Sequence, residues 1–291
     1  MGRHMGRHVQ WESGKLWLRL KAQTAHGRES GELHSIDTTA ETVESGGILF
    51  KVYILANLSR KENALKAQGK TKPANPFLPY EEDLYVTDIS KTHLCLLNKF
   101  NVVDHHFLIV TKAFEPQENW LNIQDFEALS KCLLEVDGLG FFNGGTVAGS
   151  SQPHKHLQVV PVESELPIER AIAPLEEDKI GRSPTLPYRH AILRWETFPS
   201  FHQLLENYHQ LLSAINITSK NWQGAQSAPY NFLCTRQWMM LVPRSQEKCA
   251  NISVNSLGYA GSLLVKNAEM LSQLRAIEPI NLLRQVGIEH R

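Results

Sequence analysis

The segment from residue 141 to residue 162, FFNGGTVAGSSQPHKHLQVVPV, constrains the fold of this chain more than any other part of its sequence. It joins an apolar end to a loop rich in glycine and serine, and the loop runs directly into His154, His156 and Gln158. If residues 154–160 are extended, these three side chains share one face of a strand, because side chains alternate between its two faces. The opposite face then carries the alternate residues Lys155, Leu157 and Val159.

The loop before this strand has the composition of a phosphate-binding loop. Gly144, Gly145 and Gly149 allow the backbone to bend, and Ser150 and Ser151 add hydroxyl donors. Several free N–H groups in a loop of small residues can surround a phosphate. A glycine-rich loop alone is usually only a turn, and an H-x-H pair alone is often half of a metal site. The two features in succession are rarer, and they favour a catalytic site.

Composition narrows the class of protein. The 291 residues suffice for one large core or two smaller ones, and 30 basic side chains balance 30 acidic ones. This balance argues against a nucleic-acid-binding protein that works by neutralising phosphates. No apolar run approaches the ~20 residues of a membrane span, and the N-terminus has no signal-peptide core. Without C-x-x-C spacing we expect reduced thiols, three of them in apolar or mixed runs, and a cytoplasmic protein; the cysteines are Cys95, Cys132, Cys234 and Cys249.

Residues 1–47 form an N-terminal segment that we expect to be partly a tag and partly flexible. The doubled tetrapeptide MGRHMGRH is an expression remnant or marks a second start at Met5, and we assign it no function. Residues 11–25 mix apolar and basic side chains in a pattern that is ambiguous between helix and strand. Residues 27–47 are polar and acidic, which predicts a loop.

Residues 48–165 have the pattern of an α+β unit. An apolar, β-branched run at 48–58 predicts a strand, and the proline-rich residues 59–80 predict a long surface loop. Asn122 is a good N-cap for a helix with one apolar stripe, and Gly138 follows as a stop signal. Three more strands are expected between the loop and this helix, at residues 84–89, 93–98 and 106–111. Strands, a helix and then the histidine-bearing segment indicate an antiparallel sheet with packed helices.

Residues 166–190 are polar and contain four prolines, and we interpret them as a connection to a C-terminal region at 191–291. In that region Ser200 caps a helix with a wide apolar face, and Gln203 completes a capping-box pattern. Strands are predicted at residues 191–195, 230–235 and 238–242, and closing helices at residues 258–274 and 278–286. A helix and two strands thus recur in each half, which indicates two sheet units related by a faint internal repeat.

The decapeptide GSSQPHKHLQ at residues 149–158 resembles the active-site segment of the histidine-triad-like (HIT-like) superfamily, in the branch with glutamine at the third triad position. That branch contains galactose-1-phosphate uridylyltransferases and diadenosine tetraphosphate (Ap4A) phosphorylases, also called ATP adenylyltransferases. Four further segments resemble the second group in order and approximate separation: NLSRKE (57–62), LLNKFNVVDHHFLIVTK (96–112), YNFLCTRQWMMLVPRS (230–245) and NSLGYAG (255–261). The resemblance covers most of the chain from about residue 48. It implies a HIT-like antiparallel sheet and nucleotidyl transfer at an α-phosphate.

The resemblance also implies roles for the three polar residues. His156 matches the nucleophile that carries AMP, His154 would order the nucleophile or the phosphate oxygens, and Gln158 would donate a hydrogen bond near the bridging oxygen. A histidine suits the first task because neutral imidazole is well populated near pH 7, and a covalent intermediate divides one hard displacement into two easier ones. Glutamine cannot deliver a proton, but hydrogen bonding suffices for a polyphosphate that leaves as a good anion.

A set of nucleotide- and phosphate-binding residues is implied as well: Lys61, Asn98, Lys99, Asn143, Gly149, Ser150, Ser151, Gln152, Asn231 and Arg236. The last two are weaker assignments, because positions at strand ends explain them equally well. His105 and His106 match no catalytic position of the family pattern, and we interpret them as structural. The sequence differs most from the family at residues 27–47, so the entrance to the nucleotide site is the least defined part.

Three alternatives stay open on the sequence. A HIT-type hydrolase would use water as the acceptor, although such enzymes carry histidine where this chain has Gln158. A sugar-1-phosphate uridylyltransferase belongs to the other glutamine branch, and the LLNKF and LVPRS segments disfavour it. A metal- or nucleotide-binding module would use His154 and His156, but H-x-H supplies only two ligands. We therefore expect no metal site and no covalent cofactor, with Mg²⁺ at most as the complex of the substrate. The expected partners are Ap4A, ATP, ADP and phosphate, without nucleic acid or membrane, and the oligomeric state is not predicted.

Overall fold

A computed structural model describes residues 9–56, 75 and 77–289. Its α-helices are α1 (Leu16–Ser30), α2 (Ile123–Glu135), α3 (Glu169–Ile172), α4 (Phe201–Ala214), α5 (Ser256–Tyr259), α6 (Ala268–Ile277) and α7 (Pro279–Val286), and two short 3₁₀ turns lie at Glu82–Leu84 and Thr146–Ala148. None of the helices in this part of the chain is long and apolar enough to cross a membrane.

The strands divide between two larger sheets and one small ribbon. They are β1 (Thr38–Ser45), β2 (Ile48–Leu55), β3 (Tyr85–Asp88), β4 (His93–Leu97), β5 (Phe107–Thr111), β6 (Gly138–Asn143), β7 (His156–Pro161), β8 (Ala191–Arg194), β9 (Tyr230–Cys234), β10 (Trp238–Pro243), β11 (Lys248–Cys249), β12 (Ile252–Ser253) and β13 (Ser262–Val265). The α+β class predicted from the sequence is confirmed.

One eight-stranded antiparallel sheet forms the centre of the fold, in the order β3-β4-β5-β7-β6-β9-β10-β8. The strands of the two halves of the chain meet where β6 pairs with β9, so they join edge to edge into one sheet. A second sheet has the order β1-β2-β13, with β13 parallel to β2. The strand β7, which begins at His156, therefore lies near the middle of the large sheet, where both of its edges are paired.

One face of the large sheet is covered by helices. Helices α1, α2 and α4 pack there, and their buried side chains join those of the sheet in one apolar cluster. Helix α2 begins as predicted: the Asn122 side chain accepts from two backbone N–H groups of the first turn, and Asp125 completes a capping box. The stripe formed by Phe126, Leu129 and Leu133 is fully buried, which confirms the helix and its orientation.

The other face carries two separate apolar clusters. Leu108 belongs to the cluster around Phe77, and Phe141 belongs to the cluster beneath the second sheet. Both residues are direct cross-strand neighbours of Gln158. Because direct neighbours in an antiparallel pair share a face, Gln158 lies between the two clusters, where the face is open.

In the N-terminal 47 residues the structure resolves one ambiguous segment as a helix and corrects one predicted loop. Residues 16–30 are helical because Leu16 and Leu20 bury one side of the helix, while the exposed Trp17 and Leu18 hide that periodicity in the sequence. Strand β1 replaces part of the predicted loop. It forms a hairpin with β2 through Gly46 and Gly47, whose φ angles of 60° and 78° are those that a two-residue hairpin turn requires.

The predicted helix at residues 258–274 is also wrong. Helix α5 ends at Tyr259, β13 follows, and α6 begins only at Ala268. Gly261 has a φ of 95°, which ends the helical backbone, and the next residues gain hydrogen bonds by pairing with β2. The helix predicted at 278–286 and the strands predicted within residues 84–111, 191–195 and 230–242 are confirmed.

Candidate active site

A cleft of about 1510 Å³ opens at the gap between the two apolar clusters. Its lining includes His156 and Gln158 from β7, together with Asn98 and Lys99 beyond β4. The loop before β7 contributes Gly149, Ser151 and Gln152. The structure therefore brings most of the residues implied by the family resemblance to one opening.

The predicted alternation along residues 154–160 is what the structure shows. His154 and His156 both contact the ring of Phe77 on the cleft side, at centroid distances of 5.5 Å and 5.4 Å. Leu157 and Val159 belong to the cluster beneath the helices on the opposite side. Of the polar residues on this face, His156 and Gln158 line the cleft, together with Val160 further along the strand.

His156 is held as a neutral imidazole with one defined tautomer. Its Nδ1 lies 2.8 Å from the main-chain carbonyl oxygen of His154. Because a carbonyl only accepts, Nδ1 carries the proton and Nε2 keeps its lone pair. Burial lowers the pKa of His156 to about 4, although the hydrogen bond to the His154 carbonyl acts in the opposite direction. The ring is thus prepared to act as a nucleophile through Nε2.

Two backbone contacts fix the position of His156. Its N–H donates to Oε1 of Gln117 at 2.9 Å, and Nε2 of Gln117 donates to the carbonyls of Asn143 and His156 at 2.9 Å and 3.2 Å. Gln117 is 1% exposed, so this amide joins the ends of β6 and β7 without reaching solvent. The sequence analysis did not identify Gln117, because nothing local marks a glutamine that bridges strands 26 and 39 residues away.

His154 acts on the nucleophile through its backbone rather than its ring. Its ring is fully buried, with Nε2 2.8 Å from the Thr111 carbonyl and Nδ1 2.9 Å from the Asn75 amide nitrogen. Phe77 and Phe114 flank it edge-on. The ring therefore has no place against phosphate oxygens, and its carbonyl supplies the contact that orders His156.

Gln158 pairs with a histidine that the sequence analysis interpreted as structural only. Nε2 of His106 lies 3.0 Å from Oε1 of Gln158. Burial lowers the pKa of His106 to about 4 despite this hydrogen bond. The register places His106 just before β5, whose Leu108 faces Gln158, and this cross-strand neighbourhood is the signal that would have identified it.

The loop from Gly144 to Gln152 requires glycine at Gly149. Its φ is 91°, and a Cβ there would lie 2.7 Å from the Val254 carbonyl oxygen. Ser151 is exposed at the cleft, whereas Ser150 is buried and its hydroxyl donates to the Gln152 carbonyl at 3.0 Å. Only one of the two serines is therefore open to a ligand.

The buried amides of Asn143 and Asn231 support the loop from Gly144 to Gln152. Oδ1 of Asn143 accepts from Asn231 and from both the N–H and the hydroxyl of Ser256, at 2.7–2.9 Å. Asn231 also donates to the Ala148 carbonyl and accepts from Arg244 at 2.7 Å. Both amides are buried and hydrogen-bonded, and the structure places Asn231 where its side chain supports the loop through the Ala148 carbonyl.

Arg244, in the LVPRS segment, is the centre of this support. It is 2% exposed, and its guanidinium donates to Asn231 and to the carbonyls of Val254 and Val286. A buried arginine needs such a set of acceptors, because an unpaired buried charge is costly. The segment resembled the family, but a residue type alone does not distinguish support from binding.

The structure places Arg236 away from the cleft. Its guanidinium donates to the carbonyls of Leu133 and Leu134 at 2.6 Å and 3.1 Å, where it satisfies the C-terminal end of α2. Helix α2 covers the face of the sheet opposite the cleft, so Arg236 lies on the wrong side. Lys99 does line the cleft and forms ion pairs with Glu32 and Glu81. Lys61 lies outside the described residues.

The described residues contain no group of three or more histidine, cysteine or acidic side chains that could hold a metal ion. Cys95, Cys132 and Cys234 are buried as predicted, and the described cysteines are free thiols.

Comparisons with known proteins agree with this geometry. Residues 6–177 match the family model of the Ap4A phosphorylase N-terminal domain, and residues 184–289 match that of the ATP adenylyltransferase C-terminal domain. The diadenosine 5′,5‴-P1,P4-tetraphosphate phosphorylase 2 of Saccharomyces cerevisiae is 29% identical over 285 residues, which cover 84% of this chain and 82% of that protein. Protein APA1 of the same organism is 27% identical over 208 residues, 64% of this chain and 65% of that protein.

Solved structures share the fold. The crystal structure of yeast Ap4A phosphorylase Apa2 has a TM-score of 0.81 and 24% identity, with 96% of each chain covered. Apa2 in complex with Ap4A has a TM-score of 0.80, again at 24% identity, with 96% of this chain and 99% of the other covered. Because the first family model alone spans more than half of the sequence, this chain belongs to the Ap4A phosphorylase family.

Proposed function

We propose that this protein cleaves Ap4A with inorganic phosphate to ADP and ATP, reversibly, through an AMP group bound covalently to His156. The observation that carries the proposal is the state of that ring. Its proton is held on Nδ1 by the His154 carbonyl, and its Nε2 is an unprotonated nucleophile beside the phosphate-binding loop. Family membership and the Ap4A complex of the Apa2 neighbour support the same substrate.

In the first step Nε2 of His156 attacks the α-phosphorus of one adenosine. The P–N bond forms, the bond to the bridging oxygen breaks, and ATP leaves. The phosphorylated imidazole is then positively charged, and the His154 carbonyl, which accepts from Nδ1–H at 2.8 Å, stabilises that charge. Gln158 donates to the departing oxygen, which leaves as a stable polyphosphate anion and needs no proton.

In the second step an oxygen of phosphate attacks the same phosphorus, the P–N bond breaks, and ADP leaves. Phosphate is already anionic and requires no general base. Water would require one, and Gln158 is an amide. His106 does not fill that role, because its Nε2 is bonded to Gln158 and its Nδ1 to Asn98. The site therefore favours phosphate over water as the acceptor.

The test is to incubate the protein with Ap4A, with and without phosphate, and to resolve AMP, ADP and ATP. With phosphate we expect ADP and ATP in equal amounts, and without it only slow formation of AMP. Gln158→His should raise the share of AMP by placing a base beside the intermediate. Rapid hydrolysis by the wild type without phosphate would reject the transferase and favour a HIT-type hydrolase.

Cytoplasmic location is part of the same proposal. Three buried free thiols suit a reducing compartment, in which nucleotide substrates are also found. Where Mg²⁺ is needed, it would enter as the complex of the tetraphosphate.

A further inference from the structure

The orientation of the Gln158 amide decides what this side chain can do. The amide has one end that donates and one end that accepts. Only the NH₂ end can stabilise a leaving oxygen, because the carbonyl end would repel it. The reaction proposed above therefore needs a device that keeps the carbonyl end away from the substrate.

A series of hydrogen bonds that begins at a backbone N–H group fixes this orientation. The N–H of Phe100 lies 3.2 Å from Oδ1 of Asn98. A backbone N–H can only donate, so this contact requires the oxygen of the Asn98 amide to face Phe100. The nitrogen of the same amide then lies 3.2 Å from Nδ1 of His106, which is nearer than Nε2 of that ring at 3.5 Å.

The same logic sets the tautomer of His106. An amide nitrogen donates, and Nδ1 of His106 is its nearer partner, whereas Nε2 lies closer still to Gln158; Nδ1 therefore accepts and carries no proton. The proton of the neutral ring is then on Nε2, which donates to Oε1 of Gln158 at 3.0 Å. The carbonyl end of Gln158 is thereby occupied, and its NH₂ end is left for the cleft.

Burial keeps this relay in one state. His106 is 7% exposed and packs against the ring of Phe141 at a centroid distance of 6.0 Å. Burial lowers the pKa of His106 to about 4, so the ring is uncharged near pH 7. A protonated ring would place a donor on Nδ1 against the amide donor of Asn98 and break the sequence of contacts.

We propose that Asn98 and His106 are positioning residues that orient the Gln158 amide with its NH₂ group towards the leaving oxygen. This inference rests on the proposed function, since it explains how Gln158 serves adenylyl transfer. It also assigns Asn98 a task different from direct nucleotide binding: both ends of its amide are used by Phe100 and His106.

The sharpest test is Asn98→Asp, which keeps the shape and the contact to Phe100 but presents an acceptor to His106. The tautomer of His106 should then reverse, with the proton on Nδ1, and the bare Nε2 should attract the NH₂ end of Gln158. We expect kcat to fall at least as far as in Gln158→Ala, about tenfold or more. Nitrogen-15 spectra of the imidazole should show protonated Nε2 in the wild type and protonated Nδ1 in the variant.

Controls separate orientation from charge and from folding. Asn251→Asp adds the same charge at another cleft-lining asparagine, so its effect is a raised KM without the loss of kcat. His106→Gln keeps a donor near the position of Nε2 and should recover most of the kcat that His106→Ala loses. In a Gln158→Ala background, His106→Ala should cause no further loss of kcat.

Three results would overturn the proposal: an unchanged tautomer in Asn98→Asp, equal loss in His106→Gln and His106→Ala, or additive loss in the double variant. In all these variants we measure the rate constant of AMP transfer to His156 under single-turnover conditions. This rate constant does not depend on whether phosphate or water finally accepts the AMP group. Failure of phosphorolysis in the wild type would thus reject the proposed function without deciding the orientation of Gln158. The nitrogen spectra need no turnover, and they test the tautomer even if a variant is inactive.

Discussion

The two faces of strand β7 use polar side chains in opposite ways. On the cleft face, His156 keeps a lone pair and Gln158 keeps an NH₂ group, and no hydrogen bond within the described residues uses either of them. On the interior side, Lys155, the residue immediately before β7, is fully buried, and its ammonium group donates to Asp125 at 2.6 Å, to Glu115 at 3.2 Å and to the Trp120 carbonyl at 2.8 Å. The cleft face thus offers hydrogen-bonding groups to a ligand, whereas the ammonium group of Lys155 is fully occupied by protein acceptors.

The adjacent residues Lys155 and His156 therefore have different tasks: Lys155 anchors the strand, and His156 carries the proposed chemistry. Asp125 also caps α2 and accepts from His93 at 3.0 Å, so Lys155 ties the catalytic strand to the start of a helix. Burial by itself would raise the pKa of Asp125, but the His93 hydrogen bond and the Lys155 charge lower it below its usual value. The carboxylate therefore stays ionised, and the position of His156 is held by an ion pair that never contacts substrate.

The largest expected effect is on the cleft face. His156→Ala should reduce the turnover of Ap4A by at least about a thousandfold, because the variant lacks the imidazole nitrogen that attacks the phosphorus. Its free energy of unfolding should change little by comparison. His202→Ala, on the exposed side of α4, is the control for histidine removal, and its steady-state kinetics should match the wild type. A His156→Ala enzyme with near wild-type kcat would remove the distinction between the two faces.

On the interior face the expected effect is on stability. Lys155→Met leaves Asp125 buried without its cation, which should lower the free energy of unfolding by about 3 to 5 kcal/mol. Lys131→Met is the matched control, because its ion pair with Glu127 is partly exposed and worth about 0.3–0.5 kcal/mol. Urea titrations measure both. Equal stability of the two variants would show that the buried pair does not anchor the strand.

The two serines of the loop repeat the comparison on a smaller scale. Ser151 faces the cleft, so Ser151→Ala should raise the KM for Ap4A by about tenfold, the effect of one lost donor to a charged group. Ser150 bonds to the Gln152 carbonyl, so Ser150→Ala should cost about 1 kcal/mol of stability with a smaller change in KM. Initial-rate kinetics measure the KM of both variants, and thermal unfolding measures their stability. The reverse pattern would mean that the loop rearranges when it binds substrate.

The smallest expected effect is that of pH on the first step. Burial lowers the pKa of His156 to about 4, so its ring stays neutral as the pH falls from 7.5 to 5.5. A histidine with an ordinary pKa of about 6.5 would lose roughly tenfold in neutral form over that range. We expect the single-turnover rate of AMP transfer from Ap4A to change less than about twofold. A tenfold fall would show that the nucleophile titrates as an exposed histidine does.

The features that depend on local periodicity can be predicted from the sequence. The two-residue period of a strand separates His156 from Lys155 whatever the rest of the chain does, and the capping box of α2 lies within four residues. The roles of Asn231 and Arg236 depend on partners 83 to 103 residues away, and no local pattern reports them. Strand β1 was missed for another reason: its polar residues hide a hairpin that only Gly46 and Gly47 mark.

The most direct measurement of the central claim is the capture of the adenylylated protein. Ap4A labelled in adenosine is mixed with enzyme in the absence of phosphate, the reaction is stopped with base, and the labelled peptide is sequenced by mass spectrometry. A phosphoramidate is stable to base and labile to acid. We expect AMP on His156, and we expect its release as ADP when phosphate is added before the quench. Label on any other residue, or full turnover with no protein-bound AMP, would contradict it.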